Sequence, residues 1–329
     1  MKAMIIRQAG APEVFEPAEL PMPEIGPKQM LVKVAATSVN PVDWKIRKLG
    51  LPFGPDYPSV LHGDVAGVVE VVGAEITTFA VGDDVYGCAG GLKDTDGALA
   101  EFMACDGEFL APKPGNLTMA EAAALPLVCL TAWEGLVDGA NVGWGQTVLV
   151  HAGAGGVGHV AIQIAVARGA KVFATVSGPE KARIITDYGA VSINYREMDV
   201  DDYVAAHTDG VGFDIVYDTV GGDNIPKSWQ AAKPRGTVIN CQSNSTQDMT
   251  PVHLKGLHHI GVLMLLPLML GTGGARHGQI MAEITALVEA GQLRPLMDGD
   301  PFPLAKVAAA HARLESGQAL GKVVVQVSA

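Results

Sequence analysis

The stretch that most constrains the fold is Thr147 to Gly158, TVLVHAGAGGVG. An apolar, β-branched run, Thr147-Val148-Leu149-Val150, breaks into Gly153-Ala154-Gly155-Gly156-Val157-Gly158. An apolar-periodic segment, Val160-Ala161-Ile162-Ile164-Ala165-Ala167, follows at once. The order reads as strand, glycine turn, helix. Glycines alone are not specific, because a plain βαβ crossover also uses them. In this setting they predict a dinucleotide site: Gly153 for the tight turn, Gly155 for backbone approach to a pyrophosphate, Gly158 for close packing of helix on strand. Gly156 and Val157 complete the expected cofactor contacts. The anion would sit on the helix N-terminus, where unpaired N–H groups and the helix dipole favour negative charge.

The next unit bears on which dinucleotide. Lys171 to Val176 is the expected second strand. A site for NAD usually carries Asp or Glu at its end, about twenty residues past the glycines, to accept from the ribose 2′-OH. Ser177 stands there instead. With no carboxylate to repel it, a 2′-phosphate can be accepted by Ser177, Gly178 and the cation Lys181, so NADPH is expected over NADH. Lys181 also reads as one more solvated helix charge, and Arg183 is a second candidate cation.

At 329 residues the chain exceeds the usual single-domain size, so two domains are expected. Hydrophobic content of 48% with 18% charged residues suits packed cores. A formal net charge of −12 disfavours nucleic acid as a partner. Cys88, Cys105, Cys129 and Cys241 lack C-x-x-C spacing and read as free thiols in a reducing compartment. Met1 to Ile6 looks like a first strand rather than a signal peptide. The longest apolar run, Ile260 to Leu270, contains Gly261 and Pro267 and falls short of the ~20 residues a membrane span needs. A soluble, cytoplasmic protein is expected, with no membrane partner.

The first third is β-rich: Leu31 to Val34, Val65 to Val72, Asp84 to Tyr86 and Leu99 to Ala104 are separated by Gly, Pro and Asp clusters. Val42 to Leu49 reads as a short helix, with Asp43 and Arg47 spaced for a surface ion pair. Thr118-Met119-Ala120-Glu121 is a capping box before an alanine-rich helix. Strands then alternate with helices through Val191 to Asn194, Phe213 to Asp218, Thr237 to Asn240 and Gly261 to Leu266, which implies a parallel, doubly wound sheet. A helix, His277 to Ala290, and a strand, Lys322 to Val327, return to the first domain. The expected division is a β-rich domain over 1–120, completed by 267–329, and a dinucleotide domain over 121–266.

Together these stretches resemble a zinc-independent member of the medium-chain dehydrogenase/reductase superfamily, in the NADPH:quinone oxidoreductase group. The resemblance rests on the order of Asn40-Pro41-Val42-Asp43-Trp44-Lys45, Gly63 to Val69, Leu130-Thr131-Ala132, Val148 to His151 with its glycine loop, Ile193-Asn194-Tyr195, Tyr217 to Gly222 and Gly321-Lys322-Val323-Val324. It implies an α/β protein with a GroES-like β-rich catalytic domain, a Rossmann domain and an active site in the cleft between them. Lys181 and Tyr195 would hold the 2′-phosphate, Thr131 would lie beside the nicotinamide, and Asn40 would form the cleft floor. Without the resemblance, Thr131 reads as a helix residue bonding back to its own carbonyl row, and Asn40 as an Asn-Pro turn.

Zinc-dependent relatives carry a cysteine where this chain has Asn40, a histidine in a Gly-His-Glu run where it has His62-Gly63-Asp64, and a later cysteine near Leu127. A catalytic zinc needs three converging protein ligands. His62 and Cys129 stand off register and are expected to be packing residues; adjacent His258 and His259 would point to opposite faces of a strand. No metal is expected. NADPH would deliver hydride to a quinone or to a carbon conjugated to a carbonyl, where the developing charge spreads onto an oxygen met by hydrogen-bond donors. Asn40, Lys45 and Thr131 are the expected catalytic residues, Asn40 first among the donors. Lys45 also reads as a solvated helix lysine. The tyrosine that often stands near it in relatives is missing, so water or the nicotinamide ribose hydroxyl would relay the proton. Trp44, Phe53 and the Leu263 to Leu270 run would favour apolar quinones, enones or enals. That run also reads as the edge strand of the Rossmann sheet, which in this family pairs with a second subunit to make a homodimer. Gly271 to Gly274 reads as a gating loop or a plain connector. Two other functions stay open: a zinc-type alcohol dehydrogenase, and a non-enzymatic NADPH-binding sensor or regulator.

Overall fold

The structure is a computed structural model that describes residues 1–242 and 244–328. The chain divides into two compact units, Met1–Leu127 with Leu265–Gly291 and Pro295–Ala329, and Val128–Met264 with Gln292–Arg294. The first unit opens with β1 (Lys2–Ile5), β2 (Glu16–Glu19), β3 (Gln29–Val39), α1 (Pro41–Leu49), β4 (Asp64–Val72), β5 (Asp84–Cys88), β6 (Phe102–Asp106), β7 (Leu110–Pro112) and α2 (Met119–Ala123). The chain passes through α3 (Pro126–Trp133) into the second unit. There follow β8 (Thr147–Val150), α4 (Gly156–Ala167), β9 (Lys171–Val176), α5 (Pro179–Asp187), β10 (Val191–Asn194), α6 (Val200–Thr208), β11 (Phe213–Asp218), α7 (Ile225–Ala231), β12 (Ala232–Asn240), α8 (Thr250–Lys255) and β13 (His258–Gly261). The first unit is completed by α9 (Leu266–Leu270), α10 (Gly274–Glu289), β14 (Phe302–Pro303), α11 (Val307–Glu315) and β15 (Val323–Gln326).

In the first unit a seven-stranded sheet runs β14-β15-β3-β4-β5-β7, with β6 also paired to β3. β3 is its spine. Met30, Val32, Val34 and Ala36 are fully buried at alternate positions, the period a strand requires. Register shifts at Leu31/Val32 and Val34/Ala36 interrupt its ladder with β4, while its first half also pairs with β6. β3 is followed by Asn40, the N-cap of α1, with Pro41 at the first helical position and Gly50 closing the helix at φ 61°. The Thr118–Glu121 capping box forms, but the helix it opens is only five residues long before Pro126 starts the next.

The second unit is a parallel six-stranded sheet, β10-β9-β8-β11-β12-β13, the doubly wound Rossmann order. Leu149, Phe173, Val216 and Val238 from its four central strands pack with Tyr203 and Trp229 of α6 and α7 in one core. Lys255 donates to the carbonyls of Trp229 (3.1 Å), Gln230 (2.7 Å) and Ala232 (2.8 Å), closing the C-terminal end of α7. Chain order reverses between β8 and β11, so the crevice that such sheets use for ligands opens at their C-terminal ends.

The run from Gly261 departs from expectation. The last strand is His258–Gly261, and Leu266–Leu270 is a helix of the first unit rather than the sheet's edge. Pro267 explains this: it cannot donate to a ladder but suits a first helical turn. Gly271 (φ 66°) and Gly273 (φ 88°) then end α9 and begin α10.

Candidate functional site

In the second unit the chain leaves β8 through His151 and Ala152, and Gly155 caps α4. The sharp bend falls on Ala152, whose φ is 53°, and not on Gly153. Gly153 is instead a packing glycine: a Cβ there would lie 2.7 Å from Ala174 Cβ and 3.1 Å from Ile162 Cδ1. Gly158 brings α4 onto the turn, since a Cβ would meet Ala152 O at 2.3 Å. A Cβ on Gly155 would meet only Ala152 O, at 3.1 Å. No side chain among the described residues caps α4, and its first turn, which holds Gly156, Val157 and Gly158, carries no acid. This leaves backbone N–H groups and the positive end of the dipole for an anion.

Two of the 2′-phosphate candidates, Ser177 and Tyr195, are neighbours. The register pairs Asn194 with Val176, so Tyr195 and Ser177 follow side by side at the ends of β10 and β9. Tyr195 N donates to Val176 O (3.2 Å), and the residue is 54% exposed. Lys181 lies in the first turn of α5, half-buried like Ser177.

One polar row escaped the sequence reading. Thr175, His151, Asp218 and Asn240 follow in register across β9, β8, β11 and β12, and all four are buried. Asp218 accepts from the amides of Val220 (2.8 Å) and Gly221 (2.9 Å), from Asn224 Nδ2 (3.1 Å) and from Ser228 Oγ (3.0 Å), which shapes the loop after β11. Burial pushes the pKa of His151 down to about 4, against the pull of Asp218. His151 Nδ1 meets Thr175 Oγ1 at 3.3 Å, while His151 Nε2 and Asn240 Nδ2 are buried without a hydrogen-bond partner among the described residues. Orphaned polar atoms beside a glycine turn fit a polar ligand such as a dinucleotide. Their signal in sequence was a polar residue at or next to the C-terminal end of each of four apolar strands. Thr131, buried on α3, accepts at its carbonyl from Tyr217 Oη (2.7 Å), which ties α3 to β11.

In the first unit Asn40 is fully buried. Its backbone N–H donates to Asp43 Oδ2 (2.6 Å) and its Nδ2 to Asp64 Oδ2 (2.7 Å), while its Oδ1 accepts from Lys322 Nζ. Asp64 also takes Ser38 Oγ (2.6 Å) and Leu127 N (2.8 Å), with Lys322 Nζ at 3.5 Å. Burial raises the Asp43 carboxyl to about 7, although the Asn40 amide opposes the shift. Lys45, one turn along α1, lies with its Nζ 5.8 Å from the Trp44 ring centre.

Asp43 and Arg47 do not form the expected surface pair. Both are buried, and Arg47 turns instead to Glu315, to Gly10 O (2.6 Å) and to His311 Nδ1 (3.3 Å). A guanidinium only donates, so His311 must carry its proton on Nε2, which lies 2.8 Å from His62 Nε2. His62 then donates from Nδ1 to Thr37 Oγ1 (3.2 Å), and Thr37 donates to Asp64 O (2.6 Å). Burial lowers His62 to about 3 and His311 well below its ordinary value, so both stay neutral. Each ring nitrogen of His62 is spent inside the unit. Cys129 is buried in the second unit.

Comparison with known proteins gives the same class. Residues 26–115 match the alcohol dehydrogenase GroES-like domain, and residues 189–325 match the zinc-binding dehydrogenase domain. The quinone oxidoreductase of Pseudomonas aeruginosa is 35% identical over 320 residues, 96% of either chain. The 2-methylene-furan-3-one reductase of Solanum lycopersicum is 34% identical over 99% of this chain and 79% of its own. Among solved structures, an alcohol dehydrogenase superfamily protein from Novosphingobium aromaticivorans superposes with a TM-score of 0.95 at 41% identity, covering all of both chains. The Escherichia coli quinone oxidoreductase complexed with NADPH superposes at 0.87 and 27% identity, over 99% of this chain and 100% of that one. A GroES-like unit joined to a Rossmann unit is the architecture of dinucleotide-dependent oxidoreductases. Within that class, the chain belongs to the medium-chain dehydrogenase/reductase superfamily, in its quinone oxidoreductase group.

Proposed function

We propose that this chain is a zinc-independent, NADPH-dependent oxidoreductase that reduces a quinone or an α,β-unsaturated carbonyl compound. The observation that carries the proposal is the surrounding of Asn40. At the position where zinc-dependent relatives place a ligand stands a neutral amide held by Lys322 and Asp64, and the neighbouring His62 has both ring nitrogens engaged. Such an amide can donate to an oxygen gaining negative charge, which is the need of a conjugated acceptor reduced without a metal.

Bound NADPH supplies the hydride. Backbone amides at the start of α4 would hold its pyrophosphate, and Ser177, Lys181 and Tyr195 would hold the 2′-phosphate where β9 and β10 end. Thr131 would lie beside the nicotinamide, and Asn40 would hydrogen-bond to the reactants. Trp44 and Phe53, both half-buried, give the acceptor apolar walls, with Lys45 as a second donor. Relatives named 2-methylene-furan-3-one reductase and NADPH-dependent alkenal/one oxidoreductase, chloroplastic, the latter from Arabidopsis thaliana, support including enones beside quinones in the proposal. β13 is the outer strand of its sheet, and pairing of two such strands gives a homodimer, tested by sedimentation at twice the chain mass. Four cysteines without disulfides suit a cytoplasmic setting.

The test is NADPH oxidation by EDTA-treated protein against a 1,4-quinone, an alkyl enone, an unsaturated aldehyde and a simple ketone. Turnover of quinone or enone but not ketone is expected. Ketone turnover abolished by chelation would establish the zinc alcohol dehydrogenase alternative. Tight NADPH binding without turnover would establish the sensor.

A further inference from the structure

We propose that Lys322 is the positioning residue for Asn40: with Asp64 it locks the Asn40 amide in one orientation. The proposal rests on the reading above in one respect, that Asn40 touches the reactants.

The strands set the placement. β15 runs antiparallel to β3 with Val323 opposite Val39, so Lys322 and Asn40 face each other where the two strands end. The backbone of Lys322 is held on both sides, its N–H donating to Leu296 O (2.8 Å) and its carbonyl accepting from Asp298 N (2.9 Å). Gly321 permits this clamp, because at φ 75° a Cβ would come within 2.2 Å of Leu296 O. The side chain of Lys322 is buried, and Nζ reaches Asn40 Oδ1, Val39 O at 3.4 Å and Asp64 Oδ2 at 3.5 Å.

Chemistry then removes the usual ambiguity of an amide. Oxygen and nitrogen of Asn look alike, and neighbours must tell them apart. Here one neighbour is an ammonium, which only donates, and the other a carboxylate, which only accepts. A flipped Asn40 would set NH₂ against NH₃⁺ and C=O against COO⁻, so one orientation survives. In that orientation Oδ1 is filled by Lys322 and one Nδ2 hydrogen by Asp64. Asp64 is itself held by Ser38 and Leu127, so the pair cannot turn to follow a moving amide. The Asn40 side chain also hydrogen-bonds to Asp43, so the amide is held at both ends.

The test compares Asn40→Ala, Lys322→Gln, Lys322→Arg and the double variant Asn40→Ala/Lys322→Gln in steady-state turnover, with dinucleotide affinity and melting measured beside it. A glutamine can donate or accept, so it no longer dictates the amide. Lys322→Gln is expected to lower kcat about tenfold with KM and dinucleotide Kd within about twofold. Lys322→Arg should recover most of the loss, and the double variant should turn over no more slowly than Asn40→Ala. Wild-type kcat in Lys322→Gln, a loss confined to dinucleotide Kd, or losses that multiply in the double variant would overturn the proposal. Unchanged kcat in Asn40→Ala would instead remove Asn40 from the reaction. Positioning is then decided by nitrogen-15 spectra, in which the Asn40 side-chain amide resonance should move in Lys322→Gln. A resonance that stays in place overturns it. If Lys322→Gln does not fold, Lys322→Arg carries both readouts: it should keep kcat and the resonance near wild type, and a loss of kcat without a shift refutes the assignment.

Discussion

Replacing Gly158 by alanine adds one methyl group to the tightest point of the dinucleotide turn. The new Cβ would lie 2.3 Å from Ala152 O and 3.0 Å from both Ala152 C and Gly153 Cα. Real Cβ atoms essentially never approach closer than 3.0 Å, so helix and turn must separate by at least about 0.7 Å along the closest line. The obstructing atoms are backbone, and no flexible side chain can yield. Overpacking of this kind costs about 1–3 kcal/mol, and about 2 kcal/mol lowers the melting temperature of a unit this size by roughly 4–8 °C. The same shift moves the amides at the start of α4 relative to β8. Losing one charge-assisted hydrogen bond to the pyrophosphate, worth about 1.5–3 kcal/mol, weakens NADPH by about tenfold or more. Gly143→Ala is the control, because among the described residues beyond its chain neighbours nothing lies within 4 Å of its Cβ position. The assay is thermal melting of the free protein with fluorescence titration of NADPH. A Gly158→Ala protein that melts with the Gly143→Ala control and binds NADPH like wild type would refute the close-approach account of the turn.

Lys181→Ala should weaken NADPH by about 1.5–3 kcal/mol while leaving NADH nearly unchanged, measured by parallel titrations; equal losses would contradict the 2′-phosphate assignment. His62 and His311 are held below their unfolded values, so from about pH 6.5 downwards the unfolded chain binds more protons than the folded one, and their contribution is lost as acid is added. Asp43, raised to about 7, acts in the opposite sense. Its contribution is present in acid and lost as pH rises toward 7, so the comparison must be between variants. The melting advantage of wild type over His62→Asn should be larger at pH 7 than at pH 5; a gap independent of pH would show that His62 is not neutral in the folded protein.

What could be read from the sequence was local, and what could not depended on distant parts of the chain. Lys171–Val176, Val191–Asn194 and Phe213–Asp218 are strands with the bounds expected, because buried parallel strands are short β-prone runs bounded by breakers. The glycine turn was legible as a turn, but the division of labour inside it was not. That Ala152 would take the positive φ and leave Gly153 to pack against Ala174 is decided by the neighbouring strand. Asp43 and Arg47 have the spacing of a helix pair, yet the partner of Arg47 is Glu315, 268 residues away. Lys322 was visible in a motif, but nothing near it in sequence shows that its ammonium ends on Asn40, 282 residues back. The Leu263 to Leu270 run was misjudged because apolar character outweighed Pro267, the residue that excludes it from a ladder.

The two units treat their buried polar atoms differently, and the difference bears on where a ligand must act. A buried pair such as Lys322 and Asp64 adds little stability, since apolar residues of similar volume often serve as well or better. Its value lies in orientation, and the donors and acceptors around it fill one another. At the C-terminal rim of the parallel sheet the situation is reversed. His151 Nε2 and Asn240 Nδ2 are buried and unmatched among the described residues, and each unmatched group costs about 1–3 kcal/mol. A polar ligand that reaches them recovers part of that cost, so dinucleotide binding should stabilise the second unit beyond what contacts at the glycine turn and Lys181 provide. Asn240→Leu, which removes the orphan without opening a cavity, should therefore raise the melting temperature of the free protein and shrink the further rise that saturating NADPH produces. An undiminished rise would mean that the polar row supports the fold and makes no contact with the dinucleotide.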